Sequence, residues 1–366
     1  MEFRAAVLTA INHPLSIERV TLEALAPRDV LIRNHASGLC HTDLEVIQGS
    51  LTYPLPIVLG HEGAGIVEAV GRDVTLVKPG DHVVASWNPH CGHCFYCERN
   101  QPILCEPFSR HQPAGMMLDG HSRLRLNGEQ LHHFSVVSSH AEYSVVPESG
   151  AINVPQEIPF DRACLIGCGV MTGVGAVSRV AQVEAGATVL VIGCGAVGLN
   201  AIQAAVFEQA ERVIAIDRDD GKLALAQRFG ATHTLPTDDA VLDIVKSLTD
   251  GRGADYVFEA SGAETALQLA MEATRPGGQL VILGKTEVNR MIGLRFGAMM
   301  GEKRITRSSY GGARPRRDFP WLARRYLDGK LNLDDLITNR LVLEQINDGF
   351  DAMRQGDGIR HVLTLN

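Results

Sequence analysis

The sequence predicts an α/β protein, a doubly wound parallel sheet joined to a mainly antiparallel β domain. Three observations predict it. In the middle of the chain, short apolar runs rich in Val and Ile alternate with helical stretches and glycine turns, the pattern of repeated βαβ units. Before them come short β-like runs broken by Gly and Pro: Asp29 to Ala36, Gly65 to Val70 and His82 to Ala85. Such runs read as an antiparallel sheet. The third observation is length, since 366 residues suit about two domains. The expected division is 1–169 for the β domain and 170–309 for the α/β domain. Residues 310–366 have helical stretches and a strand-like end, HVLTL, and are expected to return to the first domain.

Thr188 to Ile192 (TVLVI) reads as a fully buried strand. It leads into Gly193-Cys194-Gly195-Ala196-Val197-Gly198, a GxGxxG, then a helix over Leu199 to Gln209 and a second strand over Arg212 to Ile216, ending at Asp217. Strand, glycine turn, helix, strand and acid in this order form the Rossmann dinucleotide-binding fingerprint. The glycines allow a tight turn and close approach to a pyrophosphate, and the helix N-terminus offers free N–H groups to it. Asp217 is placed to accept hydrogen bonds from ribose hydroxyls. An acid there repels a 2′-phosphate and favours NAD over NADP, while neighbouring Arg218 could accommodate that phosphate. The alternation continues through a strand at Asp255 to Glu259, a helix at Glu264 to Thr274, a Pro276-Gly277-Gly278 turn and a strand at Gln279 to Leu283.

The bulk numbers exclude other classes. The chain is 45% hydrophobic and 21% charged with net charge −8, so no basic face invites nucleic acid. The short run RPRR (Arg314 to Arg317) reads as an exposed loop. Ala187 to Phe207 is just long enough to span a membrane, but its three glycines, Asn200 and Gln203 fit a buried strand and packed helix better. The N-terminus, MEFRAAVLTA, lacks a signal-peptide apolar region, and a cytoplasmic location is expected.

Half of the eight cysteines fall in CGHCFYCERNQPILC: Cys91, Cys94, Cys97 and Cys105. Two CxxC steps sharing their middle cysteine, with a fourth further on, can wrap four thiolates around one tetrahedral zinc. Four protein ligands leave no place for substrate, so this metal is read as structural. Three other stretches, Cys40-His41-Thr42-Asp43, Gly60-His61-Glu62 and Gly167-Cys168-Gly169, are undistinctive singly, because a lone buried thiol packs as a small hydrophobe.

Together, GHEGAGIVEAVG (Gly60 to Gly71), CHTD (Cys40 to Asp43), LIGCGVMTGVGA (Leu165 to Ala176), the four-cysteine lobe and GCGAVG before Asp217 resemble the zinc-dependent medium-chain alcohol dehydrogenases over essentially the full length. The similarity is to the long branch that includes the class III, glutathione-dependent formaldehyde dehydrogenases and the aryl-alcohol dehydrogenases. The resemblance implies a GroES-like fold for the β domain and a second, catalytic zinc held by Cys40, His61 and Cys168, giving two zinc ions per chain. It places Glu62 behind that metal and Asp43 as a brace on His61. Thr42 would hydrogen-bond the substrate oxygen, and Glu45 stands where relatives carry a relay histidine. His41 and Arg360 match positions at the cofactor phosphates, and Lys222 one near the adenosine ribose.

The implied activity is reversible NAD-linked oxidation of a primary alcohol to the aldehyde, the alcohol being aromatic or long-chain. Leu51 and Trp87 match pocket-wall positions, and Arg110 is expected near the pocket mouth. Gly49, Leu51 and Ser109 stand where thiol-adduct relatives carry two acids and an arginine. A thiol-adduct formaldehyde dehydrogenase is the near alternative, and a non-catalytic nucleotide-binding sensor the distant one. The expected partners are a small-molecule alcohol or aldehyde, without nucleic acid or membrane, and a second copy in a homodimer, with a tetramer as the alternative. Met116 to His140 gives no reading.

Overall fold

The computed structural model describes residues 1–286 and 289–365. It divides into two compact units, one made of Met1–Cys168 with Arg314–Asn366 and the other of Gly169–Ala313.

The first unit is mainly antiparallel β. Glu2–Leu8, Ser16–Leu22, Leu124–Leu126, Glu129–His133 and Ile57–Val58 close a small barrel in that order. A larger sheet runs Ala151–Asn153, His82–Ala85, Glu62–Val70, Asp29–Gly38, Arg360–Thr364 and Ile337–Leu341, with Tyr143–Pro147 also pairing with Asp29–Gly38. Asp29–Gly38 is buried along nearly all its length. Its last residue, Gly38, pairs with Glu62 on one side and Val362 on the other. The stretch after Met116, opaque in sequence, supplies the two strands that complete the barrel. Buried Arg123 anchors it through Asp29 and Asp119, each at 2.6 Å.

Glu148 lies in the turn after Tyr143–Pro147. Its buried carboxylate accepts from the amides of Thr75 and Leu76, the Thr75 hydroxyl and Arg28. Burial opposes its charge, but these donors outweigh burial and hold its carboxyl below the usual range. A depressed folded value stabilises above the unfolded value and is lost as pH falls through the folded one. Glu148→Gln should therefore cost about 1–3 kcal/mol at neutral pH. In urea denaturation that deficit should shrink below about pH 4; a pH-independent deficit would refute the charge argument.

The second unit is a six-stranded parallel sheet in the order His233–Pro236, Arg212–Asp217, Thr188–Ile192, Ala254–Glu259, Thr274–Ile282, Arg304–Arg307. Leu190, Ile214, Val257 and Leu280 from neighbouring strands share one core, which is why each strand reads as an apolar run. The order reverses between Thr188–Ile192 and Ala254–Glu259, the switch point at which such sheets bind ligands. The stretch from Ala187 is a buried strand followed by the helix Ala196–Phe207. Pro276-Gly277-Gly278 bulges within a strand instead of preceding it, because pairing with Ala254–Glu259 jumps from Ala254↔Thr274 to Tyr256↔Gln279.

Arg314 to Arg317 corrects the loop expectation. Arg314 is the N-cap of the helix Pro315–Leu327, since proline suits the first helical position. Arg317 pairs with Asp318 at 2.8 Å, and Arg316 donates to the Glu148 carbonyl at 2.5 Å. The longest apolar helix, Phe160–Ala181, is long and apolar enough to cross a membrane, yet most of its apolar stretch is buried inside the protein.

Candidate metal centres and nucleotide site

Cys40, His61, Glu62 and Cys168 converge so that one ligand atom from each lies within 4.8 Å of the others. Each arrives from a different local structure. Cys40 is the extended N-cap of the helix His41–Gln48. His61 follows Gly60, whose φ of +93° aims the chain into the site and favours glycine. Glu62 opens the strand Glu62–Val70. Cys168 sits in a π-helical turn, Ile166–Val170, a widening common at functional sites.

Asp43, fully buried, ties the group together. Its Oδ1 accepts from the Gly60 amide at 3.0 Å and from His61 Nδ1 at 3.2 Å, and its Oδ2 from the Cys40 amide at 3.1 Å. Fixing one ring nitrogen presents the other as a ligand.

The electrostatics fit a cation. A hydrogen bond with Cys168 draws the Cys40 thiol well below its usual range against burial, and His61 assists. The same hydrogen bond, with burial, pushes Cys168 up. Burial opposes charge on His61, but Asp43 and Cys40 raise it well above an ordinary imidazole. Glu62 is pushed up to about 7 by burial, with Arg360 opposing at 3.3 Å. Glu62 Oε2 is buried without a hydrogen-bond partner among the described residues. Gly38 makes room for it, since a Cβ there would sit 2.3 Å from that oxygen. Two thiols, an imidazole and an unsatisfied carboxylate oxygen make a donor set that suits zinc.

The other expected residues are placed as follows. Thr42 and Glu45 are half-buried on the helix His41–Gln48, one turn apart. His41 is exposed. Leu51 packs against the core that holds Tyr53 and Phe134. Trp87 is half-buried, 6.5 Å from the Phe108 ring. Arg110 is exposed on Glu106–His111. Arg360 is buried against Glu62. Sequence reasoning missed Phe134, whose ring stands edge-on to His61 at 5.5 Å, with Tyr53 5.0 Å behind it. Its only signal is an aromatic residue inside an otherwise unread segment.

The second group is Cys91, Cys94, Cys97 and Cys105, whose sulfurs also lie within 4.8 Å of one another. Backbone amides already point at two of them, Cys91 to Cys105 Sγ at 3.3 Å and Glu106 to Cys94 Sγ at 3.5 Å. Burial would raise Cys94, but amide donors from Glu106 and Cys97 bring it down to about 6. Four sulfurs with amide support fit a closed tetrahedral zinc site.

In the parallel-sheet unit the glycine loop has three distinct demands. Gly193 has φ +96°. A Cβ on Gly198 would lie 1.8 Å from the Gly193 carbonyl oxygen. Gly195 faces open space, with nothing within 4 Å of a built Cβ. Ala196 and Val197 begin the helix, whose N-cap, Gly195, supplies no side-chain acceptor, so its first amides remain for an anion. Asp217 accepts from the Cys194 amide at 2.7 Å, coupling the acid to the loop. Arg218 is exposed beside it, and Lys222 is half-buried in the next helix. The loop and acid fit a dinucleotide.

Comparison with known proteins agrees with this geometry. Residues 26–156 match the alcohol dehydrogenase GroES-like domain and residues 196–328 the zinc-binding dehydrogenase domain. The chain is 39% identical to an S-(hydroxymethyl)glutathione dehydrogenase of Aspergillus oryzae, over 99% of this chain and 96% of that protein. It is 38% identical to an alcohol dehydrogenase class-3 of Cereibacter sphaeroides, over all of both. Among solved structures, a benzyl alcohol dehydrogenase from Acinetobacter calcoaceticus superposes with TM-score 0.94 at 30% identity, covering 100% of each chain. An alcohol dehydrogenase zinc-binding domain protein from Burkholderia ambifaria superposes with TM-score 0.95 at 36% identity, covering 100% of this chain and 99% of that one. With both domains matched in order and relatives aligned end to end, the chain belongs to the zinc-dependent medium-chain alcohol dehydrogenase family.

Proposed function

We propose that this enzyme oxidises a primary alcohol, aromatic by preference, to its aldehyde with NAD. The observation that carries the reading is the cluster of Cys40, His61 and Cys168. Two thiolates and one imidazole leave a fourth position for a substrate oxygen. The fold it shares with the benzyl alcohol dehydrogenase supports the same class.

Zinc bound by Cys40, His61 and Cys168 supplies Lewis acidity toward an alcohol oxygen, and a bound nicotinamide supplies the hydride acceptor. The chain's own residues do the rest. Thr42, two positions from Cys40, accepts the alcohol proton in a hydrogen bond. Glu45, one helical turn on, is the next acceptor along the same helix face. Asp217 holds the adenosine ribose hydroxyls while its other bond steadies the loop at Cys194. Cys91, Cys94, Cys97 and Cys105 hold the second zinc and take no part in the chemistry. We also infer a homodimer, supported by exposed Met291, Phe296 and Met300, which precede the sheet's edge strand Arg304–Arg307 in the chain.

The relatives named S-(hydroxymethyl)glutathione dehydrogenases favour a second reading, turnover of a thiol adduct of formaldehyde. One panel separates the two. Benzyl alcohol and hexanol should be oxidised without added thiol, at least tenfold faster with NAD than with NADP. Turnover confined to formaldehyde plus glutathione would select the second reading. Light scattering on the same preparation should give twice the 39.6 kDa chain mass; a monomer overturns the dimer.

A further inference from the structure

A second histidine faces the carboxylate that holds His61. His140 is fully buried, and its Nε2 has no hydrogen-bond partner among the described residues. That nitrogen lies 3.9 Å from Asp43 Oδ2, the oxygen that also accepts from the Cys40 amide. On its other side, Nδ1 lies 2.9 Å from the Ser37 hydroxyl, which lies 2.7 Å from the Ser139 hydroxyl. Both serines are buried.

Of the two arrangements this row allows, one avoids turning a bare ring-nitrogen lone pair toward the Asp43 carboxylate. Ser139 donates to Ser37, and Ser37 donates to His140 Nδ1. The imidazole must then carry its proton on Nε2, pointed at Asp43. Burial pushes His140 down to about 4, against the pull of Asp43, so the ring is neutral and its N–H acts as a dipole. The backbone of the same segment grips the site as well. The Ser139 amide donates to the Gly60 carbonyl at 3.0 Å, and a Cβ on Gly60 would lie 2.5 Å from the His140 nitrogen. A purely apolar ring would pack against Phe350, 5.9 Å away, equally well and would leave no buried nitrogen orphaned.

We propose that His140 is a positioning residue of the Cys40–His61–Cys168 centre, held in one tautomer by Ser37 so that its Nε2–H dipole faces Asp43 from 3.9 Å and steadies the orientation in which that carboxylate holds His61. Asp43 then serves two histidines, one at the metal and one behind it. The dipole behind Asp43 opposes rotation of the carboxylate away from His61 Nδ1 and the Cys40 amide, so the ring behind sets the placement of the ring in front.

The inference rests on this group being a zinc site, and the test separates the two. Zinc is counted in the purified enzyme, and its release to a chelator is followed. Cobalt(II) is then exchanged into the same centre and its visible absorption recorded. His140→Phe keeps a ring of similar size and removes both nitrogens; Ser37→Ala removes only the group that sets the tautomer. In His140→Phe, zinc at the Cys40 centre should leave about tenfold faster with a shifted cobalt band, while the four-cysteine zinc stays. Ser37→Ala should move both readouts the same way by less, and should add nothing in the His140→Phe background. If His140→Phe does not fold, Ser37→Ala carries the test alone. Two zincs bound with wild-type release and an unshifted cobalt band overturns the proposal. A wild-type count of one zinc overturns the site reading beneath it.

Discussion

Cys168→Ser should lower alcohol oxidation by on the order of a thousandfold or more, with one zinc lost per chain and thermal stability nearly unchanged. Polarisation of a substrate oxygen by a metal is worth several kcal/mol, and each 1.4 kcal/mol is about tenfold in rate. Serine occupies the same volume but is a poor ligand, so the metal is lost and the packing is kept. Cys168 lies in the π-helical turn Ile166–Val170, where its removal cuts no strand pairing. His61→Ala should be as inactive and also less stable, because it leaves the Asp43 carboxylate buried without one of its donors. Metal analysis beside steady-state rates decides it. A Cys168→Ser enzyme with two zincs and more than a tenth of wild-type rate would show that this centre is not the one that works.

Cys97→Ser should do the reverse. The lobe between Cys91 and Cys105 has only one-turn helices, Phe95–Glu98 and Pro102–Leu104, too short to hold themselves. Cys105 is buried in the core with Phe108, and the other three cysteines pack at its edge. A structural zinc carries folding free energy outright, so losing one of four ligands should cost several kcal/mol and lower Tm on the order of 10 °C. Limited proteolysis should open the chain between 91 and 105 before anything else. Turnover per zinc at the Cys40 centre should persist at low temperature. An unchanged melting curve with one zinc missing would mean the lobe is held by packing.

The two cysteine substitutions also mark what could be read from residues alone. The lobe's cysteines are close in sequence, so spacing sufficed. The glycine loop was legible for the same reason, as its turn, helix and acid follow one another. Cys40, His61 and Cys168 lie far apart, and their convergence depends on a central strand, a glycine with positive φ and a π-helical turn that no local pattern announces; resemblance supplied what periodicity could not. Phe134 and His140 were invisible because their segment owes its form to barrel closure and to backbone bonds with Val58, Leu59 and Gly60, both long-range. Arg314 to Arg317 looked like a solvated loop because its charges are exposed, while the proline that starts a helix carried the contrary signal. The strand bulge at Arg275 to Gly278 was misplaced because its register is set by Ala254–Glu259, not by its own glycines.

The strand Arg360–Thr364 lies between Asp29–Gly38 and Ile337–Leu341 in the sheet that carries Glu62, and Arg360 is the cation beside Glu62, 298 residues earlier in the chain. During synthesis the carboxylate is therefore made early and its counter-charge almost last. At about 5–20 residues per second the gap is roughly 15–60 s. Residues 169–313 form a contiguous unit and are all available before the first unit is complete. The site is thus timed by the ribosome: Glu62 does not meet its counter-charge until the message is almost fully read, after both thiols, the histidine and residues 169–313 have been made.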